Sequence, residues 1–256
     1  MTDRFQGTSA WADGNILYAD DLSDSITSSR WIKHINMATT GGNDNILAIM
    51  GHSSSTYSRH ITAVTSLTSN NGTSWTSKNT DLEGDVIAKV CKANRAYAFV
   101  AEKLTNFEFE ETQDSGTTWT TRTSTTFGTR INDASYPTTS LIVLGGNDAA
   151  GTKHVIRSTD FGVTWTDATT SPGALVFCLD MFDASNGVAI DTSLNIWKTV
   201  NGGVDWTDTL FNVSFASEQC SIIMTSATEF LYCEVNSNEI KLLKGDFTSG
   251  SNISSI

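Results

Sequence analysis

The carboxylates, histidines and cysteines are the residues in this 256-residue chain whose types could do chemistry. Glu108 and Glu110 stand two apart in Phe107-Glu-Phe-Glu-Glu111, a spacing that puts both on one side of a strand. Such a pair could serve as acid and base in glycoside hydrolysis. The same alternation, with Phe107 and Phe109 on the other side, is what a strand with one solvated face shows, and that is the reading the sequence favours. Asp20, Asp21 and Asp24 are explained as negative charge at a helix N-terminus. His34, His52, His60 and His154 lack metal-ligand spacing, although His52 and His60 could meet across a hairpin. Cys91, Cys178, Cys220 and Cys233 form no CxxC pair and read as buried free thiols in crowded strands. No phosphate loop, dinucleotide fingerprint or nucleophile elbow occurs. No catalytic residue, metal or cofactor is therefore expected.

A different pattern is far stronger. Four eight-residue phrases recur: Thr68-Ser-Asn-Asn-Gly-Thr-Ser-Trp75, Thr112-Gln-Asp-Ser-Gly-Thr-Thr-Trp119, Ser158-Thr-Asp-Phe-Gly-Val-Thr-Trp165 and Thr199-Val-Asn-Gly-Gly-Val-Asp-Trp206. Each has a hydroxyl residue, then Asp or Asn two places on (Asn70, Asp114, Asp160, Asn201), then Gly (Gly72, Gly116, Gly162, Gly203), then Trp. The tryptophans lie 44, 46 and 41 residues apart, a period that marks a repeat architecture. Hydroxyl and Asx side chains can fold back onto nearby amides and close a tight turn, for which Gly supplies φ > 0. The Trp would begin the next strand and cover the hairpin with its indole.

This pattern resembles the Asp-box, also called the BNR or sialidase-type repeat, and Ser158–Trp165 matches it in full. Thr112–Trp119 carries Thr for Ser, and the boxes ending at Trp75 and Trp206 carry Asn for Asp. The resemblance implies an all-β protein, a β-propeller of four-stranded blades with each box between the third and fourth strands. It says little about activity, because folds of this kind carry many functions. A propeller sialidase would need three clustered arginines and an Arg-Ile-Pro phrase. Arg4, Arg30, Arg59, Arg95, Arg122, Arg130 and Arg157 are scattered, and the prolines are Pro137 and Pro172 alone.

The strands that must position the boxes can be read between them. Leu175–Met181, Gly187–Asp191, Asn195–Thr199 and the strand at Trp206 make one blade. The rhythm recurs in Val86–Val90, Ala96–Ala101, Phe107–Glu111 and the strand at Trp119, then in Ser140–Leu144, Lys153–Ser158 and the strand at Trp165. Asn45–Met50 and His60–Thr65 lead to Trp75. After Trp206 three strands follow (Ser221–Met224, Phe230–Glu234, Glu239–Leu243) and no box. Arg30-Trp-Ile-Lys-His34, whose Trp31 precedes Trp75 by 44 residues, is therefore expected to complete the last blade and close a ring of five blades; six is the alternative. Gly41-Gly-Asn-Asp44 and Gly145-Gly-Asn-Asp148 read as turns, and Ser53–Arg59 and Thr123–Pro137 as long loops suited to ligand contact.

Residues 1–29 lie outside the repeat and 30–256 within it. The first segment reads as an arm with two helical turns, on which Tyr18, Leu22 and Ile26 share a face. Its Gly14-x-x-Leu-x-Ala-x-Asp-Leu22 run is similar to the segment opening many phage tail and fibre proteins. The first seven residues lack the apolar core of a secretory signal, and no apolar run is long enough to span a membrane. A net charge of −12 disfavours nucleic acid and anionic membranes as partners. Together these features lead to the expectation of a non-enzymatic virion protein: a spike, fibre or tail-associated propeller. It would dock other virion proteins through its arm, form a homo-oligomer and contact a host surface receptor or glycan. An intracellular scaffold propeller in the cytoplasm, holding a protein partner, and a glycan-processing hydrolase are the alternatives.

Overall fold

Short alternating apolar runs between Gly-, Asn- and Thr-rich turns bury their side chains as meander sheets. The computed structural model describes residues 30–37, 46–52, 59–63, 76–78, 86–94, 96–102, 107–114, 118–124, 130–148, 150–152, 154–214, 221–235, 240–248 and 252–255. The arm, its helix and Tyr18, Leu22 and Ile26 lie outside the described residues. So do the box Thr68–Trp75, with Asn70 and Gly72, and Gly116 of the next box.

The described strands build four-stranded antiparallel meanders. The first contains β1 (Arg30–Met37), β2 (Ile46–His52), β3 (Arg59–Ala63) and β4 (Thr76–Lys78); the second β5 (Val86–Val90), β6 (Ala98–Glu102), β7 (Phe107–Thr112) and β8 (Thr120–Ser124). The third contains β9 (Arg130–Ser135), β10 (Ile142–Asn147), β11 (Val155–Ser158) and β12 (Thr166–Asp167). In the fourth are β13 (Val176–Met181), β14 (Gly187–Asp191), β15 (Asn195–Thr199) and β16 (Thr207–Asn212). The last has β17 (Ser221–Met224), β18 (Glu229–Val235), β19 (Ile240–Asp246) and β20 (Asn252–Ser255). The opening strands stand side by side in chain order, β1 by β5, β5 by β9, β9 by β13 and β13 by β17. Repeated meanders packed through their first strands are the β-propeller architecture.

Among the described residues, three apolar cores glue neighbouring sheets. Phe99, Phe109, Ile142, Leu144 and Ile156 bury themselves between the second and third sheets. Val143, Val155, Leu179, Ala189 and Trp206 do so between the third and fourth, and Ile190, Ile196, Ile222, Phe230 and Tyr232 between the fourth and last. Full burial of each large side chain contributes about 1.5–3 kcal/mol. Sheet-to-sheet packing, rather than any single hairpin, therefore dominates cohesion.

Several sequence expectations need correction. Residues 30–37 do not complete the last blade: β1 pairs with β2, with Arg30 opposite His52 and Ile35 opposite Ala48. The fourth strand of the last sheet is β20, Asn252 opposite Asp246 and Ile253 opposite Gly245. The spacing from Trp31 to Trp75 correctly placed a strand but not its neighbour, and Asn-Ile-Ser-Ser is too polar to show strand alternation. Within the supposed loop 123–137 lies β9, whose Asn-Asp pair broke the apolar run. Gly145, Gly146 and Asn147 belong to β10, with a register shift between the two glycines; only Asp148 starts the turn. Trp119, Trp165 and Trp206 each stand one residue before their strands, since β8, β12 and β16 begin at Thr120, Thr166 and Thr207. Glu110 is buried at 4% exposure, so its carboxylate does not stand on a solvated face of β7. Across the β2–β3 hairpin His60 is opposite Met50, while His52 is opposite Arg30. Cys91 and Cys178 are buried free thiols, and Cys233 is a half-buried one.

Candidate functional site

Two constellations concentrate polar side chains: the box turns and a belt of charge on the opening strands. The box is built from its hydroxyl outward. Ser158 Oγ donates to Asp160 Oδ1 (2.8 Å) and accepts from the amides of Gly162 (2.7 Å) and Asp160 (3.3 Å). Asp160 in turn accepts from the Thr164 amide (2.8 Å) and hydroxyl (2.6 Å), and the Trp165 indole N–H donates to Gly162 O (3.1 Å). Thr112, Asp114 and Thr118 repeat this, with Thr112 Oγ1 donating to Asp114 (2.9 Å) and the Thr118 amide and hydroxyl doing so at 2.8 and 2.6 Å. At both aspartates slight burial works to raise the pKa. The Thr118 or Thr164 hydrogen bonds outweigh it and hold the carboxyl below its usual range.

The box Thr199–Trp206 reverses this polarity. Thr199 Oγ1 still donates to position three, here Asn201 Oδ1 (3.0 Å), and accepts from Gly203 N (3.0 Å). Position seven, however, is Asp205, which accepts from Asn201 Nδ2 (2.9 Å) where Thr164 donates to Asp160. An amide at one position is matched by an acceptor at the other, so every arm of the clasp keeps its partner. The Asn variant at Asn201 is thus compensated, not decayed. The residue before the box glycine is left-handed as well, Phe161 at φ 62 and Gly202 at φ 73, beside Gly162 at φ 78 and Gly203 at φ 81. Phe161 tolerates this while its ring stacks on Tyr97 of the second sheet at 5.4 Å. Asp148 with Thr152 (2.8 and 3.1 Å) and Asp191 with Asn195 (3.0 and 3.3 Å) use the same clasp on other hairpins. The box search missed these because neither has the Gly and Trp.

The boxes ending at Trp165 and Trp206 also reach the sheet before their own. A Cβ on Gly162 would lie 2.6 Å from the Phe109 ring, and the Trp165 ring meets Phe109 edge-on at 5.9 Å. Gly202 O accepts from Arg157 Nε of β11 at 2.9 Å. The described boxes therefore occupy equivalent corners, between third and fourth strands, and do not converge on one site.

The belt is what sequence reasoning missed. Lys89 of β5 pairs with Asp133 of β9 at 2.9 Å, and Asp133 Oδ2 accepts from the Leu179 amide of β13 at 2.9 Å. Asp180 of β13 accepts from Ser135 Oγ (2.9 Å), from Lys92 Nζ (2.6 Å) and from the Met224 amide of β17 (2.9 Å). Lys92 leaves the second sheet and reaches the fourth, which requires the opening strands to converge closely. Burial opposes the charge of Lys89, but Asp133 first, then Asp180 and Cys178, outweigh it and raise the lysine pKa. The signal was present: Lys89 in Val86–Val90 and Asp180 in Val176–Met181 are single charges inside apolar strands. Chemically the belt is a set of neutralised pairs that cross-link four strands. Among the described residues no group of three metal-ligating side chains gathers, and both His154 ring nitrogens face carbonyls, of Pro172 (2.6 Å) and Gly151 (3.0 Å).

No protein-family model matches the sequence, and no curated protein does. Solved structures do. A GH74 xyloglucanase from Xanthomonas campestris is 12% identical with a TM-score of 0.58, covering 88% of this chain and 38% of its own. An ancestral GH74 enzyme is 15% identical at TM-score 0.51, covering 81% and 29%. YCF48 from Cyanidioschyzon merolae is 16% identical at TM-score 0.48, covering 66% and 54%. The chain thus spans less than two thirds of each of these relatives. At such identities the two GH74 likenesses speak for architecture alone: the fold is a β-propeller.

Proposed function

We propose that this chain is a non-enzymatic structural component of a virus particle, a spike, fibre or tail-associated propeller. Residues 1–29 attach it to other virion proteins, the propeller assembles as a homo-oligomer, and its rim contacts a host surface receptor or glycan. The observation that carries the reading is the use made of the belt. Lys89, Lys92, Asp133 and Asp180 are engaged with one another and with strand amides across four sheets. A catalytic propeller holds reacting groups toward substrate; here the ionic groups bind one sheet to the next. The arm's likeness to tail and fibre segments supplies the setting.

The test is direct. Density-purified particles from the source should yield peptides of this chain at a stoichiometry matching a particle protein. Purified protein should leave xyloglucan and chromogenic glycosides unchanged. Absence from particles together with capture of one soluble protein partner would replace this reading with a scaffold. Turnover of a glycoside would replace it with a hydrolase.

A further inference from the structure

Asn followed by Gly is among the least durable pairs a chain can carry at neutral pH. The glycine amide nitrogen, once it has given its proton to solvent, attacks Cγ of the asparagine side chain. Glycine has no Cβ to hinder the approach or to limit the backbone rotation it needs. A C–N bond forms, the bond from Cγ to Nδ2 breaks, and the nitrogen takes up a proton and leaves as ammonia. Water then opens the cyclic imide at either carbonyl, giving aspartate or isoaspartate. The sequence holds such pairs at Asn71-Gly72, Asn186-Gly187 and Asn201-Gly202, of which the first lies outside the described residues.

The other two pairs lie in turns of the fourth sheet that touch each other. Asn201 is exposed, so solvent reaches its amide, but Gly202, which carries the attacking nitrogen, is buried. Gly202 N–H donates to Ser185 O at 2.9 Å, and a Cβ on Gly202 would stand 2.6 Å from Ala184 O. The electrophile is held as firmly by its own box. Asn201 Oδ1 accepts from Thr199 Oγ1 and from Asp205 N, both at 3.0 Å, and Nδ2 donates to Asp205 Oδ2 at 2.9 Å. Cyclisation requires the Gly202 amide to leave Ser185 and the side chain to turn from Thr199 and Asp205 toward its own backbone. None of this can happen while the turn is closed.

We propose that Asn201 is a modification site held latent by its box: the closed turn blocks deamidation, and opening of the turn permits it. The change is one-way. A carboxylate at position 201 faces Asp205 where an amide N–H donated before, and isoaspartate adds a methylene to the backbone of a turn pressed against Ala184. The consequence reaches beyond the turn. Asp205 Oδ1 also accepts from Thr170 Oγ1 at 3.1 Å, and Trp206 N donates to Thr170 O at 2.9 Å, on the connection arriving from the third sheet. A transient opening of this box is thereby converted into a lasting weakness where the third and fourth sheets meet.

Peptide mapping by mass spectrometry of the full chain, aged at mildly alkaline pH, tests this, with enzymatic methylation marking isoaspartate. Asn201 should convert roughly tenfold or more slowly in the folded chain than in the same chain held unfolded in urea at the same pH and temperature. Equal rates would overturn the proposal. Thr199→Val keeps the side-chain volume and removes the hydroxyl that ties Asn201 to Gly203. In a chain that stays folded it should speed conversion of Asn201 several-fold. Asn186, whose Nδ2 is clasped separately by Asp183 at 3.1 and 3.0 Å, should keep its rate. Equal acceleration of both sites would make unfolding of the whole sheet the gate, and no acceleration would acquit the box; either result overturns the proposal. The fraction converted at Asn201, separated by anion exchange, should melt below the unmodified chain, and an identical melt would overturn the effect on the meeting of the two sheets. The comparison of folded with unfolded chain decides the matter even if the Thr199→Val chain does not fold.

Discussion

The boxes ending at Trp165 and Trp206 share one phrase and differ in where their stability comes from. Trp165 is half-buried, its indole N–H held by Gly162 O, its ring edge against Phe109, and its turn clasped by a charged Asp160. Trp206 is 1% exposed in the core between the third and fourth sheets, and its turn is clasped by the neutral Asn201 with Asp205. The second box is also tied to the preceding connection by backbone, Trp206 N to Thr170 O at 2.9 Å and Thr169 N to Val204 O at 2.7 Å. The contrast teaches that the phrase specifies a turn, while its surroundings decide whether side-chain hydrogen bonds or apolar burial carry the weight.

Truncating the two indoles is the harshest way to break that comparison. Trp206→Ala should cost about 4 kcal/mol in denaturant unfolding, as a large fully buried truncation, and Trp165→Ala about 1–2 kcal/mol less. Equal losses would show that burial does not distinguish the boxes. The glycines give the reverse ranking. Gly162→Ala combines φ 78 with a methyl 2.6 Å from Phe109, whereas at Gly203 (φ 81) the nearest atom would be Val143 at an ordinary 3.5 Å. Gly203→Ala should cost about 1 kcal/mol for the left-handed backbone alone, and Gly162→Ala about 1–2 kcal/mol more for the clash.

The reversed polarity sharpens the comparison with a smaller effect. Asn201→Asp sets two carboxylates against each other and should cost about 1 kcal/mol; Asp205→Thr in the same chain should recover most of it, a coupling that a double-mutant cycle reads directly. If the second substitution adds to the loss, the clasp is not the reason for the pairing. Acid titration is the mildest probe. Asp160 and Asp114 have lowered pKa values, so their stabilisation is present above the unfolded carboxyl value of about 4 and fades as pH falls through the folded one. Asp160→Asn should therefore flatten the fall in melting temperature below that pH, while Asn201→Ala should leave its shape unchanged.

Much of this was readable in the chain. The four-strand rhythm from Leu175 to Trp206 appears as β13 to β16 with boundaries shifted by a residue or so. Ser158, Asp160, Gly162 and Trp165 take the turn roles expected of them, because their bonds close within eight residues. Other features were not readable. Glu110 looked solvated because period-two alternation tells which residues share a face, not what lies against it. Residues 30–37 carried a good strand signal but no information about which strand would lie alongside, and β20 was hidden by its polarity.

What the sequence determined alone is local: the turn chemistry of each box, the strand period and the repeat length that makes sheets of equal size. Those properties depend on neighbours a few residues away, so a linear pattern records them. Tertiary structure alone decided that Lys92 reaches Asp180 across 88 positions, that Trp206 is sealed while Trp165 is not, and that β1 joins β2. These depend on which faces meet after the sheets pack, and burial between sheets is a property of the assembled layers that no single stretch of chain contains.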